Sequence, residues 1–212
     1  MVSIKLQNIN FEDSNIFLSD VDFSENLLNC VLSQDKGILE DFFKTLLLLD
    51  SSNVESYTIN NLDSSLFSYQ NIRKELITVL YGDSFKFSQT MVDDYFSKIC
   101  TDSNRELSWN TREFLEEISC LDIMAAPLLD STLFTKKCSE LSFFDKIFIK
   151  VFESTIKQSK LFIVFIDDIE LNEIQINQCG NILEEYLLPD CCIVILSRNT
   201  FWANRADNTI KI

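Results

Sequence analysis

The sequence predicts an α/β protein built on a parallel sheet, and three stretches carry that expectation. Leu161-Phe162-Ile163-Val164-Phe165-Ile166 runs without a polar break and stops at the adjacent carboxylates Asp167-Asp168. Cys191 to Leu196 is a second run with no charged or amide side chain. Leu27 to Leu49 passes from an apolar strand through a polar loop into an amphipathic helix. Apolar runs of this length belong to strands covered on both faces, as the strands of parallel sheets are.

Taken in order, Val2 to Phe11 alternates loosely around Ile4, Leu6, Ile9 and Phe11 and reads as an edge strand. Ser14 to Phe23 gives a second strand and Leu27 to Leu32 a third, followed by the loop Ser33-Gln34-Asp35-Lys36-Gly37. A helix is expected from about Ile38 to Leu49, with Leu39, Phe42, Phe43, Leu46 and Leu47 on its buried side. Val54 to Ile59 and Leu76 to Tyr81 are further strands. From Gly82 to Leu141 the pattern turns helical. Thr90-Met91-Val92-Asp93 has the form of a capping box opening a helix through Tyr95, Phe96 and Ile99. Trp109, Phe114, Leu115 and Ile118 suggest a second helix, and Met124 to Phe134 a shorter element. Ser142-Phe143-Phe144-Asp145 repeats the capping form and opens a helix to about Gln158. After the central strand come a helix near Ile174 to Leu187, the Cys191 strand and a last short strand, Thr209 to Ile212.

The 212 residues suffice for a substantial core, and 46% hydrophobic content with three glycines and two prolines excludes a disordered chain. No apolar run approaches the roughly 18 residues of a membrane-spanning helix, and the first residues lack the pattern of a secretion signal. A formal charge of −15 opposes direct binding to nucleic acid or anionic lipid. The seven cysteines show no Cys-x-x-Cys spacing and are expected to be buried free thiols. The absence of histidine removes every Ser-His or Cys-His nucleophile.

Two stretches hold candidate chemistry. Asp167-Asp168 ends a buried strand, where a carboxylate can hold Mg²⁺ beside a phosphate or can simply begin a solvated turn. Ser33 to Asp41 lies between strand and helix, where a glycine-rich loop would cradle phosphates. It contains one glycine. Lys44-Thr45, a lysine-hydroxyl pair further on, reads as an ordinary helix surface pair.

Together these segments resemble the nucleotide-binding domain of an ATP-binding cassette (ABC) transporter, most like the exporter type, over nearly the whole chain. Phe87-Ser88-Gln89-Thr90 is similar to the Phe-x-x-Thr that follows the family's glutamine loop. Leu141-Ser142 before a long helix is similar to the start of the signature Leu-Ser-Gly-Gly-Gln, and Asp167-Asp168 to the Walker B pair. Ile193 to Asn199, then Ala206-Asp207 and a short strand, is similar to the family's end. The resemblance implies a P-loop NTPase-like core sheet with an N-terminal antiparallel β part. The core would cover 1–81 and 141–212, and a helical lobe about 82–140.

The departures from the family pattern imply a degenerate site. Against Gly-x-x-x-x-Gly-Lys-Ser/Thr, the phosphate-loop segment offers Ser33, Lys36, Gly37, Leu39, Glu40 and Asp41, with Leu39 at the lysine position and Glu40 at the Mg²⁺-binding hydroxyl. Asp13 takes the place of the adenine-stacking aromatic, Tyr81 that of the glutamine, Asp168 that of the catalytic glutamate and Arg198 that of the switch histidine. Phe143 and Phe144 replace the two signature glycines after Leu141 and Ser142. Asp167 keeps the family identity as a weak metal position, although a structural role is also open to it, accepting N–H bonds from the loop before the Ile38 helix. These changes imply a pseudo-ATPase with no cofactor, a non-hydrolysing structural or regulatory partner of a membrane export complex on the cytoplasmic face. Its partners would be a transmembrane export domain and a second copy or an active ABC ATPase domain, reached through Phe143-Phe144 or through Phe85, Phe87, Met91 and Tyr95, unless those aromatics only pack the lobe. The alternatives are a divergent but active subunit that binds and hydrolyses ATP with Mg²⁺, and a receiver-like regulator using Asp167-Asp168 as a metal pocket.

Overall fold

The computed structural model describes residues 3–11, 14–49, 53–82, 85, 88–102, 133–166, 171–187 and 191–212, without the side chains of residues 100, 102, 134 and 186. They fall into two compact units, unit 1 (residues 1–83 and 158–212) and unit 2 (residues 84–157).

Unit 1 holds two sheets. Strands β1 (Ser3–Phe11), β2 (Ile16–Ser24), β4 (Ser56–Ile59) and β5 (Leu62–Asp63) form an antiparallel sheet in the order β2-β1-β4-β5. Strands β3 (Leu28–Leu32), β6 (Ile77–Tyr81), β7 (Leu161–Phe165), β8 (Cys192–Ser197) and β9 (Asn208–Lys211) form a parallel sheet in the order β6-β7-β8-β3-β9. The expected antiparallel part and parallel core are both present. In β7 and β8 every residue is buried, which accounts for their unbroken apolar sequence.

The loose alternation of β1 has a local cause. Ile4 and Leu6 are buried, then Ile9 and Phe11, so the inward phase changes between them. The change falls at Asn8, whose φ of 51° interrupts the pleat. Asparagines also make the tight turns. Asn60 (φ 54°) and Asn61 (φ 62°) join β4 to β5 as the two-residue loop whose both positions need positive φ.

Helix α1 (Lys36–Leu46) starts and ends earlier than expected, because Asp35 caps it and Leu48 adopts a left-handed conformation (φ 53°) that ends it. Arg73 donates to the Leu47 and Leu48 carbonyls and Tyr57 to that of Leu46, so the carboxyl end of α1 is tied to two other segments. Its inward face, Leu39, Phe42 and Leu46, joins a core drawn from both sheets, including Ile4, Leu6, Val31, Ile163 and Val194. Phe42 packs at 6.0 Å from Phe11 and 6.3 Å from Phe23. Thr45 is fully buried and donates to the Asp41 carbonyl, so of the pair read as surface only Lys44 is exposed. The strand read from Val54 begins at Ser56. A short α2 (Tyr69–Asn71) continues as a π-helical turn, Ile72–Leu76, into β6.

Unit 2 contains α3 (Val92–Asp102), 3₁₀ turns at Leu133–Thr135 and Cys138–Glu140, and α4 (Phe143–Lys157). Thr90 does not open α3, which begins at Val92. Instead the Thr90 carbonyl accepts the Cys138 N–H and the Lys136 carbonyl accepts the Val92 N–H, so the segment pairs with residues 136–139. Phe85, Val92, Phe96, Ile99, Leu133, Cys138, Leu141, Ile149 and Phe152 form the core of this unit. The contacts of α4 place it here, whereas the sequence reading put it with the core. The helix expected around Trp109 and most of the element at Met124 to Phe134 lie outside the described residues.

Unit 1 closes with α5 (Glu173–Leu187) and α6 (Thr200–Arg205). Arg205 makes a forked ion pair with Glu184 and also donates to Asn181, joining the two helices. Among the described residues, no helix is long and apolar enough to cross a membrane. Cys30, Cys138, Cys179, Cys191 and Cys192 are buried free thiols, as expected. Burial pushes Cys30 and Cys179 up to about 12, which leaves them unreactive at neutral pH.

Candidate functional site

In a parallel sheet the loops at the carboxyl ends of the strands form the place where ligands bind. In unit 1 these loops, with the strand end and first helical turn beside them, hold Ser33, Lys36, Gly37, Tyr81 and Arg198. The loop after β3 is held by its own side chains. Ser33 donates its N–H to the Ser197 carbonyl at 3.3 Å, and its hydroxyl accepts the Asp35 N–H at 3.2 Å. Asp35, in extended conformation, accepts the Gly37 N–H on its carboxylate at 2.7 Å, and its carbonyl accepts the Leu39 N–H. An aspartate before a helix, in this posture, is an N-cap.

The consequence is chemical. The N–H groups that open a helix bind anions because they lack partners there. Here the Gly37 N–H already meets a carboxylate, so a phosphate at this point would have to displace Asp35 and would meet its charge. The Leu39 side chain is fully buried in the core and presents nothing to the loop. Glu40 and Asp41 are half-buried on α1, and Lys44 pairs with Asp41 at 2.8 Å. These donors do not fit a triphosphate and its metal.

The neighbouring loops repeat this self-capping. After β8, the Asn199 side chain accepts the Phe201 N–H and donates to the Leu171 carbonyl. Arg198 is exposed, and its carbonyl accepts Gln34 Nε2 at 3.3 Å, which links this loop to the one after β3. Before α5, Asn172 and Gln175 exchange reciprocal side-chain bonds at 3.0 Å, a capping box whose Asn-x-x-Gln form was legible and overlooked.

Tyr81 stands at the end of β6 with 42% of its surface exposed. It stacks on Phe43 of α1, centroids 5.0 Å apart and planes 26° apart, and meets Phe165 edge-on at 5.3 Å. An aromatic triangle therefore occupies the place that the resemblance assigns to the glutamine, and Phe43, half-buried against the core as expected, also reaches Tyr81. Ile174 and Phe201 are exposed at the first turns of α5 and α6. Asp13, Phe87, Asp167 and Asp168 lie outside the described residues, and so does the proposed bonding of Asp167.

The remaining predicted residues belong to unit 2. The capping box expected at Ser142 is present: its N–H donates to Asp145 Oδ2 at 3.0 Å, and the Asp145 N–H donates to Ser142 Oγ at 3.2 Å. Lys136 lies 3.9 Å from the same carboxylate. Phe143 and Phe144 are half-buried and lean edge-on against each other at 5.7 Å, neither exposed nor core. Leu141 is buried in the unit's core. Phe85 is 4% exposed, so of the aromatics read as a docking surface this one is core.

The mixed α/β fold, with one antiparallel and one parallel sheet, matches that of solved ABC transporter ATP-binding proteins. A protein described as an ABC transporter ATP-binding protein from Pyrococcus furiosus superposes with a TM-score of 0.68 at 13% identity, over 99% of this chain and 96% of that one. CbiO1 from Clostridium perfringens, part of the ABC transporter complex CbiONQ, superposes with a TM-score of 0.67 at 15% identity, over 98% and 83%. No protein-family profile and no curated protein sequence matches the chain. The likeness is one of fold.

Proposed function

We propose that this chain is a degenerate nucleotide-binding domain of an ABC exporter-like system, a structural or regulatory partner that neither binds nor hydrolyses ATP. The observation that carries this reading is the Asp35 carboxylate on the Gly37 N–H, beside a buried Leu39 that the resemblance matches to the family's lysine. Phosphoryl transfer depends on positioning and on neutralising charge, and this loop supplies a like charge instead. Calorimetric titration of the full chain with Mg-ATP tests it. No heat of binding is expected at millimolar nucleotide, whereas saturable binding or turnover overturns the proposal.

A domain of this kind acts through its contacts. Tyr81, Ile174 and Phe201, exposed along the carboxyl ends of β6, β7 and β8, support a protein partner at that edge, a second cassette-like domain. CbiO1 belongs to a transporter complex, which supports a membrane transporter component as a further partner, and in this proposal that component is an export one met at its cytoplasmic face. Replacing Ile174 and Phe201 with Ser is expected to leave the thermal midpoint within about 2 °C of the parent. It should abolish any self-association or pairing with a co-expressed cassette subunit in sedimentation. Association that survives both substitutions removes this edge from the proposal.

A further inference from the structure

Unit 2 contains a buried ionic cluster that the proposed function does not use. Glu153 of α4 has a side chain 8% exposed, flanked by Lys150 at 12% and Lys157 at 19%. Lys150 Nζ donates to Glu153 Oε2 at 2.7 Å, and Lys157 pairs with Oε1. From α3, the Tyr95 hydroxyl donates to Glu153 Oε2 at 2.5 Å and accepts from Lys150 Nζ at 2.9 Å. The Lys150 ammonium also lies 5.2 Å from the Phe85 ring centre and 5.6 Å from that of Tyr95. One carboxylate thus holds two cations and the hydroxyl of a neighbouring helix.

We propose that this cluster is an acid-sensitive latch: protonation of Glu153 frees α3 from α4 and opens unit 2 while unit 1 stays folded. The titratable groups facing Glu153 among the described residues are Lys150 and Lys157 on its own helix and Tyr95 on α3, with Cys138 beside Tyr95 and Lys150. Burial works to raise the Glu153 carboxyl, but the two lysines and their hydrogen bonds outweigh it and hold the group below the ordinary carboxylate value. A carboxylate with a depressed folded-state pKa stabilises the fold above its unfolded value, and that contribution disappears as pH falls through the folded value. Protonation also leaves two buried ammonium groups facing each other without a counter-charge. The buried polar side chains of unit 1, such as Asn29, Thr45 and Thr78, carry no charge to lose.

Two buried thiols report on the two units separately, Cys138 in unit 2 and Cys30 in unit 1. The full chain is labelled with an aromatic disulfide reagent under native conditions, and peptide mapping gives the rate at each thiol. The ratio of the two rates cancels the reagent's own pH dependence. Between about pH 6 and about pH 3.5 the ratio of Cys138 to Cys30 labelling is expected to rise severalfold, as protonation of Glu153 withdraws the counter-charge of two buried lysines. In the variant Glu153→Gln the ratio should be high already at about pH 6 and flat with pH. Because that variant can fail to fold, a second one replaces the whole cluster with Tyr95→Phe, Lys150→Met, Glu153→Leu and Lys157→Met. It should keep Cys138 protected at every pH. A wild-type ratio that does not change with pH, or a pH step that persists in the cluster-free variant, overturns the latch.

Discussion

Asn29 in unit 1 and Glu153 in unit 2 are each the buried centre of a polar network, and the two networks rest on different chemistry. Asn29 sits fully buried in β3, donating to the Leu27 and Ile193 carbonyls at 3.0 Å while its own carbonyl accepts from Asn208 at 3.1 Å. Beside it, the Asp207 carboxylate accepts the Leu28 N–H at 2.8 Å and its backbone bonds the Leu28 carbonyl. These bonds pin β9 and β8 to β3 at the amino end of the parallel sheet. The Glu153 network is ionic and joins two helices. The Asn29 amide's own bonds carry no charge and are indifferent to pH, whereas the ionic cluster holds only while its carboxylate stays charged.

Removing the charge is the strongest way to break this contrast. Glu153→Gln is expected to cost about 3–5 kcal/mol at neutral pH, because it leaves two largely buried lysines uncompensated. The gap from wild type should shrink as pH falls below the ordinary carboxylate range, since acid removes the same charge from the parent. Urea unfolding at several pH values, followed at unit 2, measures it. A gap constant with pH would mean that the carboxylate's charge is not what α3 and α4 depend on.

Asn29→Leu is expected to cost about 2–3 kcal/mol, from the lost bonds to the Leu27 and Ile193 carbonyls and from Asn208, partly offset by apolar burial. Unlike the Glu153 effect, this loss should be the same at pH values on either side of neutrality. Asp35→Ala is smaller again, about 1 kcal/mol, the worth of an exposed helix cap. It also tests the site. If the cap alone excluded anions, the variant would acquire affinity for inorganic phosphate, but with Leu39 buried and the acids Glu40 and Asp41 still on the helix no such gain is expected.

The sheet strands were legible because burial on both faces writes an unbroken apolar run, as in Leu161–Phe165 and Cys192–Ser197. The capping box at Ser142 was legible because its chemistry lies within four residues. Asp35 stands in the sequence as one acid of a polar loop, and only its geometry shows it to be the helix cap that opposes an anion there. The Tyr81, Phe43 and Phe165 triangle was not legible, since it brings together three segments distant in sequence. Nor was the Glu153 cluster read, although lysines three residues before and four after a glutamate mark one helix face. Turns were obscured for a simpler reason. With three glycines in the whole chain, positive φ falls to Asn8, Asn15, Asn26, Asn60 and Asn61, residues that a glycine-based reading passes over.

That substitution of asparagine for glycine has one exception on the surface, and it allows the smallest test. Gln158 ends α4 with φ of 53°, exposed to solvent, at the point where the chain leaves unit 2. Left-handed backbone costs an ordinary side chain on the order of 1 kcal/mol, and asparagine less, because its short amide can bond locally. Glycine at the residue just after a helix removes the steric cost but loses more entropy on folding, so Gln158→Gly should gain about 0.5 kcal/mol. Asn61→Gly, at a comparable φ, should gain less, because asparagine already tolerates this region. The gain at Gln158 stabilises the carboxyl end of α4, the helix that carries Lys150, Glu153 and Lys157. It should therefore slow the labelling of Cys138 relative to Cys30 at neutral pH and leave the acid step in place. A gain that appeared equally at both thiols would show instead that the two units unfold as one.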